Sequence, residues 1–469
     1  MKDCDPLEET SNDSIASIFT MVPKDFHKYL KPRPRTGNET LDHPRPLNIS
    51  EIVAEIKKYN EMQYVHNEDV FGALQNDSLI VVIQVHERIS YLRHLIVSLG
   101  QARDIDSVLL VFSHDYFDVE INDLVQSIDF CKVLQIFYPY SIQTHPNVFP
   151  GPSAGDCPRD MNKNDINKEM YQCPMARLVR SLQRSQVHTD QTSLVVESKS
   201  SVHPIRSHST SYRQVEEKGA TALLEPYERK NEALRLVLFL EEDHYVAEDF
   251  IYLLRLMQET ARNSCPQCDV YSLGTYQKTY VYYGNSRKVG FLYFRFSGSN
   301  VGGFARPIVT ANCYLGYSQL LAWHFLKVET SSWVSSRHNM GMAMNKTVWN
   351  KIRKCAVNFC TYDDYNWDWS LQNVSTNCLK KEMEVMMCRG PRVFHIGECG
   401  FHHKKQNCQA MSVVSRVQTV LRSAKKYLFP KNLQLVTTSL VRKQTIKNGN
   451  GGWSDLRDQQ LCLSMLKNT

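Results

Sequence analysis

The chain has 469 residues, of which 42% are apolar and 22% are charged, so it can form a large hydrophobic core and is not disordered throughout. Its formal net charge of +6 is too small to indicate a nucleic-acid-binding protein, and we expect no nucleic-acid partner. No stretch of about 18 consecutive apolar residues occurs, so the sequence predicts no membrane-spanning helix.

The first part of the chain is predicted to be a polar, stem-like lead-in that covers residues 1–77. Prolines at positions 32, 34, 44 and 46 interrupt any long helix there, although a short helix is predicted near residues 50–59. The catalytic or binding domain is predicted to span residues 78–469.

Strands and helices are predicted to alternate from residue 79 onward. The predicted order is strand 79–85, helix 92–99, strand 107–112, helix 121–128 and strand 133–138. This alternation is typical of an α/β fold with a parallel sheet and right-handed crossovers. Ligands bind at the carboxyl ends of such strands, which directs attention to His86, Arg88 and Asp115.

Two later segments differ in composition from their surroundings. Residues 161–228 are rich in Ser, His, Arg and Thr and are predicted to be a disordered insert. Residues 290–333 are apolar and aromatic without a clear period, and are predicted to be a second insert. The elements predicted around them are strands 236–240 and 270–273 and helices 251–257 and 347–354.

Acidic residues follow directly after the predicted strand 236–240. Glu241, Glu242 and Asp243 supply the hard oxygen ligands that Mg²⁺ or Mn²⁺ prefers, and such a cation can in turn hold a diphosphate. A solvated acidic loop is the alternative interpretation of the same three residues.

A second motif places three carboxylates among four aromatic residues in residues 361–369. Asp368 lies between Trp367 and Trp369 in this motif. Aromatic rings can stack on sugars, and by excluding water they raise the pKa of a carboxylate, as a general base requires. Alternatively, the acidic residues only cap turns at an aromatic corner.

Histidine and cysteine residues are concentrated near the end of the chain. His395 follows a short apolar stretch and can complete a metal site; a competing zinc site would use His395, Cys399, His402 and His403, although their spacing matches no common zinc pattern. The chain has fourteen cysteines, which favour either free buried thiols in a cytosolic protein or disulfides in a lumenal one. Six Asn-X-Ser/Thr sequons favour the lumenal interpretation: Asn12, Asn38, Asn48, Asn76, Asn345 and Asn373.

Taken in order, the motifs resemble the N-acetylglucosaminyltransferase II family, the Golgi α-1,6-mannosyl-glycoprotein 2-β-N-acetylglucosaminyltransferases. The motifs that carry the resemblance are Val85-His-Glu-Arg88, Val111-Phe-Ser-His-Asp115, Asn147-Val-Phe-Pro-Gly151, Asp156-Cys-Pro-Arg-Asp160, Leu238-Phe-Leu-Glu-Glu-Asp-His-Tyr245, Ser272-Leu-Gly-Thr-Tyr276, His338-Asn-Met-Gly341, Phe359-Cys-Thr-Tyr-Asp-Asp-Tyr-Asn-Trp-Asp-Trp369, Gly400-Phe-His-His-Lys-Lys405 and Asn448-Gly-Asn-Gly-Gly-Trp453. The Tyr-Asp-Asp string and the order of the whole set are the most specific features.

This resemblance implies a GT-A glycosyltransferase fold, in which a Rossmann-like, mostly parallel sheet is flanked by helices and a disulfide-rich C-terminal part follows. It implies an inverting transfer of GlcNAc from UDP-GlcNAc, in β-1,2 linkage, to the α-1,6-arm mannose of N-glycans. The roles it implies are Mn²⁺ binding by Asp243 and His395 within the acidic motif, general base catalysis by Asp368, and nucleotide-sugar binding by Gln84, His86, Arg88 and Asp115.

The resemblance also implies disulfides and a cellular compartment. The implied pairs are Cys265 with Cys268, Cys355 with Cys378, Cys360 with Cys462, and Cys399 with Cys408. The implied location is the Golgi lumen or Golgi membrane, although the family's usual N-terminal anchor is not found in this sequence.

Several features depart from the family pattern. The family's His-His-Trp-Trp-Trp element has no counterpart in residues 161–228, residues 290–333 look inserted, and Glu87 replaces a usual Asn. One alternative is therefore a relative that binds glycans or nucleotide sugars without turnover. Another is a secreted, disulfide-rich interaction protein.

Overall fold

A computed structural model describes residues 22–31, 47–75, 78–141, 143–145, 235–274, 325–362, 367–397, 410–437, 459 and 462–464. The predicted insert 161–228 and most of 290–333 lie outside these residues.

The strands are β1 (Val65–His66), β2 (Ile80–Val85), β3 (Leu109–His114), β4 (Lys132–Phe137), β5 (Leu236–Glu241), β6 (His244–Val246), β7 (Cys268–Ser272), β8 (Lys327–Ser332), β9 (Met342–Asn345), β10 (Glu384–Cys388), β11 (Val393–His395) and β12 (Gln434–Thr437). The α-helices are α1 (His27–Leu30), α2 (Ile49–Met62), α3 (Glu68–Phe71), α4 (Ile89–Gly100), α5 (Val119–Gln126), α6 (Phe250–Ser264), α7 (Ser335–His338), α8 (Lys346–Arg353), α9 (Ala356–Cys360), α10 (Trp367–Asn377) and α11 (Ala410–Ala424). In the described part of the chain, no helix combines the length and the apolar character needed to cross a bilayer.

Ten strands form one sheet in the order β1-β4-β3-β2-β5-β9-β7-β10-β8-β12. Strands β4, β3, β2 and β5 are parallel neighbours, and so are β7 and β10, whereas β9 lies antiparallel between β5 and β7. A separate two-stranded sheet pairs β6 with β11. The predicted α/β class with a large, mostly parallel sheet flanked by helices is confirmed.

Helices cover both faces of the sheet, and the strand sequences show why. Apolar residues in β2 alternate between the faces: Val81, Ile83 and Val85 pack on one side, and Ile80 and Val82 on the other. The side that carries Val81, Ile83 and Val85 is called the first face, and it packs against α4, α5, α6 and α11. The opposite side is called the second face, and it packs against α8 and α10 near β9. Strands buried on both faces are continuous apolar runs, which is the pattern that predicted them.

The predicted elements exist, but several of their ends differ from the prediction. Strand β3 begins two residues later than predicted and continues to His114, because hydrogen bonding to β2 and β4 extends it past the apolar run. Helix α6 continues to Ser264, well beyond the predicted residue 257, and ends next to the Cys265–Cys268 disulfide. The prediction ended this helix too early because its last two turns contain mostly polar residues.

Part of the predicted lead-in packs against the sheet. Strand β1 pairs with the edge strand β4, and the side chain of Asn60 exchanges two hydrogen bonds with the backbone of Phe137 at 2.7 and 2.8 Å. Tyr29 is buried, and its hydroxyl donates to Oδ1 of Asp129 at 2.6 Å. Residues from this segment therefore contribute to the hydrophobic core.

Three disulfides are present among the described residues, joining Cys265 to Cys268, Cys355 to Cys378, and Cys360 to Cys462. They match three of the four pairs implied by the resemblance. The fourth pair, Cys399 with Cys408, lies outside the described residues. Because the last bridge spans 102 residues of sequence, it ties the end of the chain to the helices on the second face.

We predict that acid destabilises this fold through its buried histidines. Burial lowers the pKa of His94 to about 4 and those of His114 and His338 to about 3. An unfolded histidine has a pKa near 6.5, so the unfolded chain binds more protons below that pH, and stability is lost as the pH falls.

Near pH 5 each of these histidines should lower the free energy of unfolding by about 2 kcal/mol relative to neutral pH. Urea unfolding at several pH values measures how steeply the free energy of unfolding falls with decreasing pH. A His94→Gln variant should show a shallower dependence on pH. The same slope in parent and variant would contradict the assignment.

Candidate active site

The carboxyl ends of β2, β3 and β5 bring three polar segments together at one edge of the sheet. His86 follows β2, Asp115 follows β3, and Glu242 follows β5. Nδ1 of His86 lies 2.8 Å from Oδ1 of Asp115, and the backbone N–H of His86 donates to Oε2 of Glu242 at 2.7 Å. Ligands of open parallel sheets bind at such an edge. Side chains from distant parts of the sequence thus form one polar site.

Arg88, which immediately precedes α4, pairs with two carboxylates of the acidic motif. Its Nε donates to Oε1 of Glu242, and its Nη1 donates to Oδ2 of Asp243, both at 2.6 Å. The two acidic residues are each only 2% exposed. Because a buried charge is costly unless it is paired, Arg88 is what allows these carboxylates to be buried here.

His395 reaches the same carboxylate from the small sheet. Pairing of β11 with β6 sets His395 opposite His244. Nε2 of His395 then lies 3.2 Å from Oδ2 of Asp243, and the backbone N–H of Ile396 donates to the carbonyl of Asp243 at 2.8 Å. The structure therefore brings together Asp243 and His395, which are about 150 residues apart in the sequence.

A buried ion pair holds β11 in this position. The Arg392 and Asp249 side chains are both fully buried, and Nη2 of Arg392 donates to Oδ2 of Asp249 at 3.0 Å. The backbone of Arg392 also bonds to Ala247 and Leu273 at 2.8 and 2.7 Å. Arg392 thereby connects the elements around β6, β7 and β11. These contacts fix the position of β11, and with it the position of His395 relative to Asp243.

The shared carboxylate shifts the pKa values of its neighbours. Burial alone would raise the pKa of Asp243, but His395 and then Arg88 outweigh burial and hold it well below its usual range. Burial opposes charge on His395, yet Asp243 raises its pKa above the ordinary value. Burial, followed by the negative charge of Asp243, raises the pKa of Glu241 to about 7.

His86 behaves in a similar way. Burial opposes its charged form, but the hydrogen bond and the charge of Asp115 raise its pKa. The site therefore holds an ionised Asp243 paired with Arg88 and His395, next to a Glu241 whose pKa is raised to about 7.

The residues around Asp243 fit a divalent cation. Oδ1 of Asp243 is buried and has no hydrogen-bond partner in the described part of the chain. One ligand atom from each of Glu241, Asp243 and His244 lies within 4.8 Å of the others. Carboxylate oxygens combined with imidazole nitrogen suit first-row divalent metals such as Mn²⁺. Sequence analysis assigned no metal role to His244, which the structure places opposite His395 and within this group.

Asp368 lies in the first turn of α10 and is 6% exposed. Its Oδ2 accepts a hydrogen bond from Nδ2 of Asn339 at 2.9 Å, and its Oδ1 accepts one from the backbone N–H of Trp369 at 3.0 Å. Asn339 also lines a cleft together with Glu241, so Asp368 is linked through Asn339 to the surroundings of the acidic motif. Of the motif's other carboxylates, Asp363 and Asp364 lie outside the described residues.

Gln84 lines a cleft on the second face rather than the polar edge. The cleft is open to solvent, has a cavity volume of about 50 Å³, and also borders Glu241, His244 and Asn339. Of the four residues predicted to bind a nucleotide sugar, His86, Arg88 and Asp115 are at the edge, and Gln84 lies within β2, two residues before His86, where it lines the cleft.

Some predicted residues lie outside the described part of the chain. Cys399, His402 and His403, which the competing zinc site requires together with His395, are among them. Sequence analysis missed Asn339 and Gly397. Asn339 is part of a quoted motif but received no role, and Gly397 was overlooked although it follows His395 by two residues.

Gly397 is needed because a Cβ atom there would lie 2.2 Å from Oδ2 of Asp243. No side chain larger than hydrogen fits beside this carboxylate without moving it. A glycine two residues after a metal-ligand candidate was the available sequence signal.

Comparisons with known proteins point to one family. A family model described as N-acetylglucosaminyltransferase II (MGAT2) matches residues 53–184, 223–310 and 316–462. The matched ranges leave out residues 185–222, which fall inside the segment 161–228, and they run through most of 290–333.

Full-length relatives agree with that match. The alpha-1,6-mannosyl-glycoprotein 2-beta-N-acetylglucosaminyltransferase of Rattus norvegicus is 35% identical over 98% of this chain and 86% of its own length. The Homo sapiens protein of the same name is 33% identical over 98% of this chain and 85% of its own length. The Arabidopsis thaliana protein is 26% identical over 85% of this chain and 76% of its own length.

We predict that a Gly397→Ala variant weakens the contact between Asp243 and His395. The added Cβ would push the Asp243 carboxylate away, so the pKa of His395 should fall toward its ordinary value by about one pH unit. NMR titration of the histidine ring protons measures this change.

The internal control is His86, whose raised pKa depends on Asp115 and should not change in this variant. An unaltered His395 pKa in a folded Gly397→Ala protein would show that the carboxylate does not control it.

Proposed function

Because the chain belongs to the N-acetylglucosaminyltransferase II family, we propose that it transfers GlcNAc from UDP-GlcNAc, in β-1,2 linkage, to the α-1,6-arm mannose of N-glycans on glycoproteins. Members of the family are N-acetylglucosaminyltransferases, so the chain is an enzyme of this class. The observation that supports the proposal most strongly is that the acidic motif, His395 and Asp368 approach one another at the ligand-binding edge of the sheet.

We assign the catalytic domain to the GT-A fold, since a mostly parallel sheet ends on an acidic motif at its carboxyl edge. Asp243 and His395 are the proposed Mn²⁺ ligands, and His244 is near enough to take part. When bound, Mn²⁺ would neutralise the negative charge that develops on the departing diphosphate. Arg88 holds the carboxylates of Glu242 and Asp243 in place for this task.

Asp368 is the proposed general base. In an inverting transfer the mannose O2 forms a bond to C1 of GlcNAc while the bond from C1 to the phosphate oxygen breaks. The hydroxyl proton then passes to a carboxylate oxygen of Asp368. The hydrogen bonds from Nδ2 of Asn339 and from the backbone N–H of Trp369 hold this carboxylate in a fixed orientation for that transfer.

Gln84, His86, Arg88 and Asp115 are proposed to hold the nucleotide sugar. His86 and Asp115 form a hydrogen-bonded pair at the ends of β2 and β3, where the nucleotide of an open α/β sheet lies. The disulfides of the described residues suit an oxidising compartment, and we propose the Golgi lumen as the site of action.

An Asp243→Asn variant should lose Mn²⁺-dependent binding of UDP-GlcNAc. The amide cannot supply the negative charge that pairs with the metal, so we expect affinity in the presence of Mn²⁺ to fall by at least about 100-fold. Isothermal titration calorimetry with and without Mn²⁺ measures it.

The matched control is Asp269→Asn, which removes a carboxylate from an ion pair with Lys351 and should bind the donor like the parent. If Asp243→Asn also binds like the parent, the metal is held elsewhere.

An Asp368→Asn variant should retain donor binding and lose turnover. The amide has a similar shape but cannot take up a proton, so transfer to a terminal-mannose glycan should fall by roughly 10²- to 10⁴-fold. The measurement is transfer rate with Mn²⁺ and saturating UDP-GlcNAc.

Asn377→Asp, at the exposed end of the same helix, controls for a general effect of exchanging an amide and an acid in α10. Near-parental turnover of Asp368→Asn would move the base to another residue.

A further inference from the structure

The cleft on the second face carries polar atoms that no protein group satisfies. Gln84 Oε1, Ser113 Oγ, Asn339 Oδ1 and Trp349 Nε1 are buried and have no hydrogen-bond partner among the described residues. All four residues line this one cleft. Leaving a buried donor or acceptor unpaired is costly, and native proteins have few of them. Four in one cleft indicate that a ligand supplies the missing partners.

The rest of the cleft is apolar. Val82 and Phe239 form its floor on the sheet, and Ile352 and Leu371 contribute from α8 and α10. Among the described residues that line it there is no lysine or arginine. A phosphate would find no cation here, so the cleft suits an uncharged group with an apolar end.

The unpaired atoms specify the polar part of that group. The indole N–H of Trp349 can only donate, whereas the amide oxygens of Gln84 and Asn339 can only accept. The complementary group must therefore offer a carbonyl oxygen to Trp349 and an N–H to one of the two amide oxygens, next to a small apolar end. An acetamido group has this combination, and a simple hydroxyl lacks the apolar end.

The mouth of the cleft lies at the reaction site. Glu241, two residues before Asp243, borders the cleft, and so does Asn339, whose Nδ2 donates to Asp368 at 2.9 Å. Because its Nδ2 faces Asp368, its unpaired Oδ1 is available to the cleft. A substituent on the sugar that reacts between Asp243 and Asp368 can therefore reach inside.

We propose that this cleft binds the acetamido group of the donor sugar. Trp349 Nε1 donates to the acetamido carbonyl, Asn339 Oδ1 accepts from its N–H, and the methyl group packs on Ile352 and Leu371. The inference rests on the proposed function, and it makes Trp349 a residue that selects UDP-GlcNAc over UDP-glucose, which differs from it by the acetamido group.

The test is to measure binding of UDP-GlcNAc, UDP-glucose and UDP, each with Mn²⁺, to the parent and to Trp349→Phe. Phenylalanine keeps an aromatic ring but loses the N–H. We expect affinity for UDP-GlcNAc to fall about 10-fold, as for loss of one buried hydrogen bond, and the affinities for UDP-glucose and UDP to stay within about twofold.

Val348→Ala is the matched control. Val348 is the neighbouring buried residue of α8 and does not line the cleft, so its truncation loosens the helix without touching the acetamido group. The ratio of the two UDP-sugar affinities should stay parental. Should Trp349→Phe fail to fold, Leu371→Phe fills the cleft and should weaken UDP-GlcNAc selectively.

Acetamido groups also occur in N-glycans, and a uracil ring also offers carbonyl and N–H groups. A variant that weakens binding of a GlcNAc-bearing acceptor glycan but not of UDP-GlcNAc would overturn the assignment to the donor. Equal weakening of all three nucleotides would assign the cleft to uracil and overturn it as well. Unchanged selectivity in both cleft variants would overturn it while leaving the proposed function intact, whereas a parent that binds no UDP compound would contradict the proposed function itself.

Discussion

The arrangement of the site depends on one buried carboxylate, that of Asp243. A carboxylate removed from water costs several kcal/mol unless it is paired and hydrogen-bonded. Oδ2 of Asp243 meets that requirement by contacting Arg88 at 2.6 Å and His395 at 3.2 Å. These partners come from the start of α4 and from the end of β11, so satisfying a single charge fixes how the main sheet and the small sheet meet. Gly397 leaves the space that this contact needs.

The same requirement explains why the site carries excess negative charge. Glu241, Glu242 and Asp243 are three acidic residues at one strand end. Arg88 pairs with two of these carboxylates, and the imidazole of His395 contacts that of Asp243. The raised pKa of Glu241, about 7, is a second sign of this excess, since burial and Asp243 both oppose its ionisation. A divalent cation is the natural partner for such a cluster. The scaffold that keeps the cluster rigid is the fully buried pair of Arg392 and Asp249.

Sequence reasoning recovered the central sheet because β2 to β5 are continuous apolar runs with polar residues at their ends. It placed Asp243 correctly at a strand end, since that depends only on local pattern and on the rule for parallel sheets. It did not recover the antiparallel β9 or the pairing of β6 with β11, because both rest on contacts between residues distant in sequence. The roles of Asn339 and Trp349 were missed for the same reason: a side chain is recognisable as unpaired only after its neighbours are in place.

The central claim is that Asp243 and His395 form the two sides of one cation site, with the nucleotide diphosphate bound beside it. Anomalous diffraction at the manganese absorption edge, from crystals grown with Mn²⁺ and UDP, tests this most directly. The account predicts one strong anomalous peak that contacts both the Asp243 carboxylate and Nε2 of His395. A peak that contacts neither residue, or bound UDP with no peak at this edge of the sheet, would contradict it.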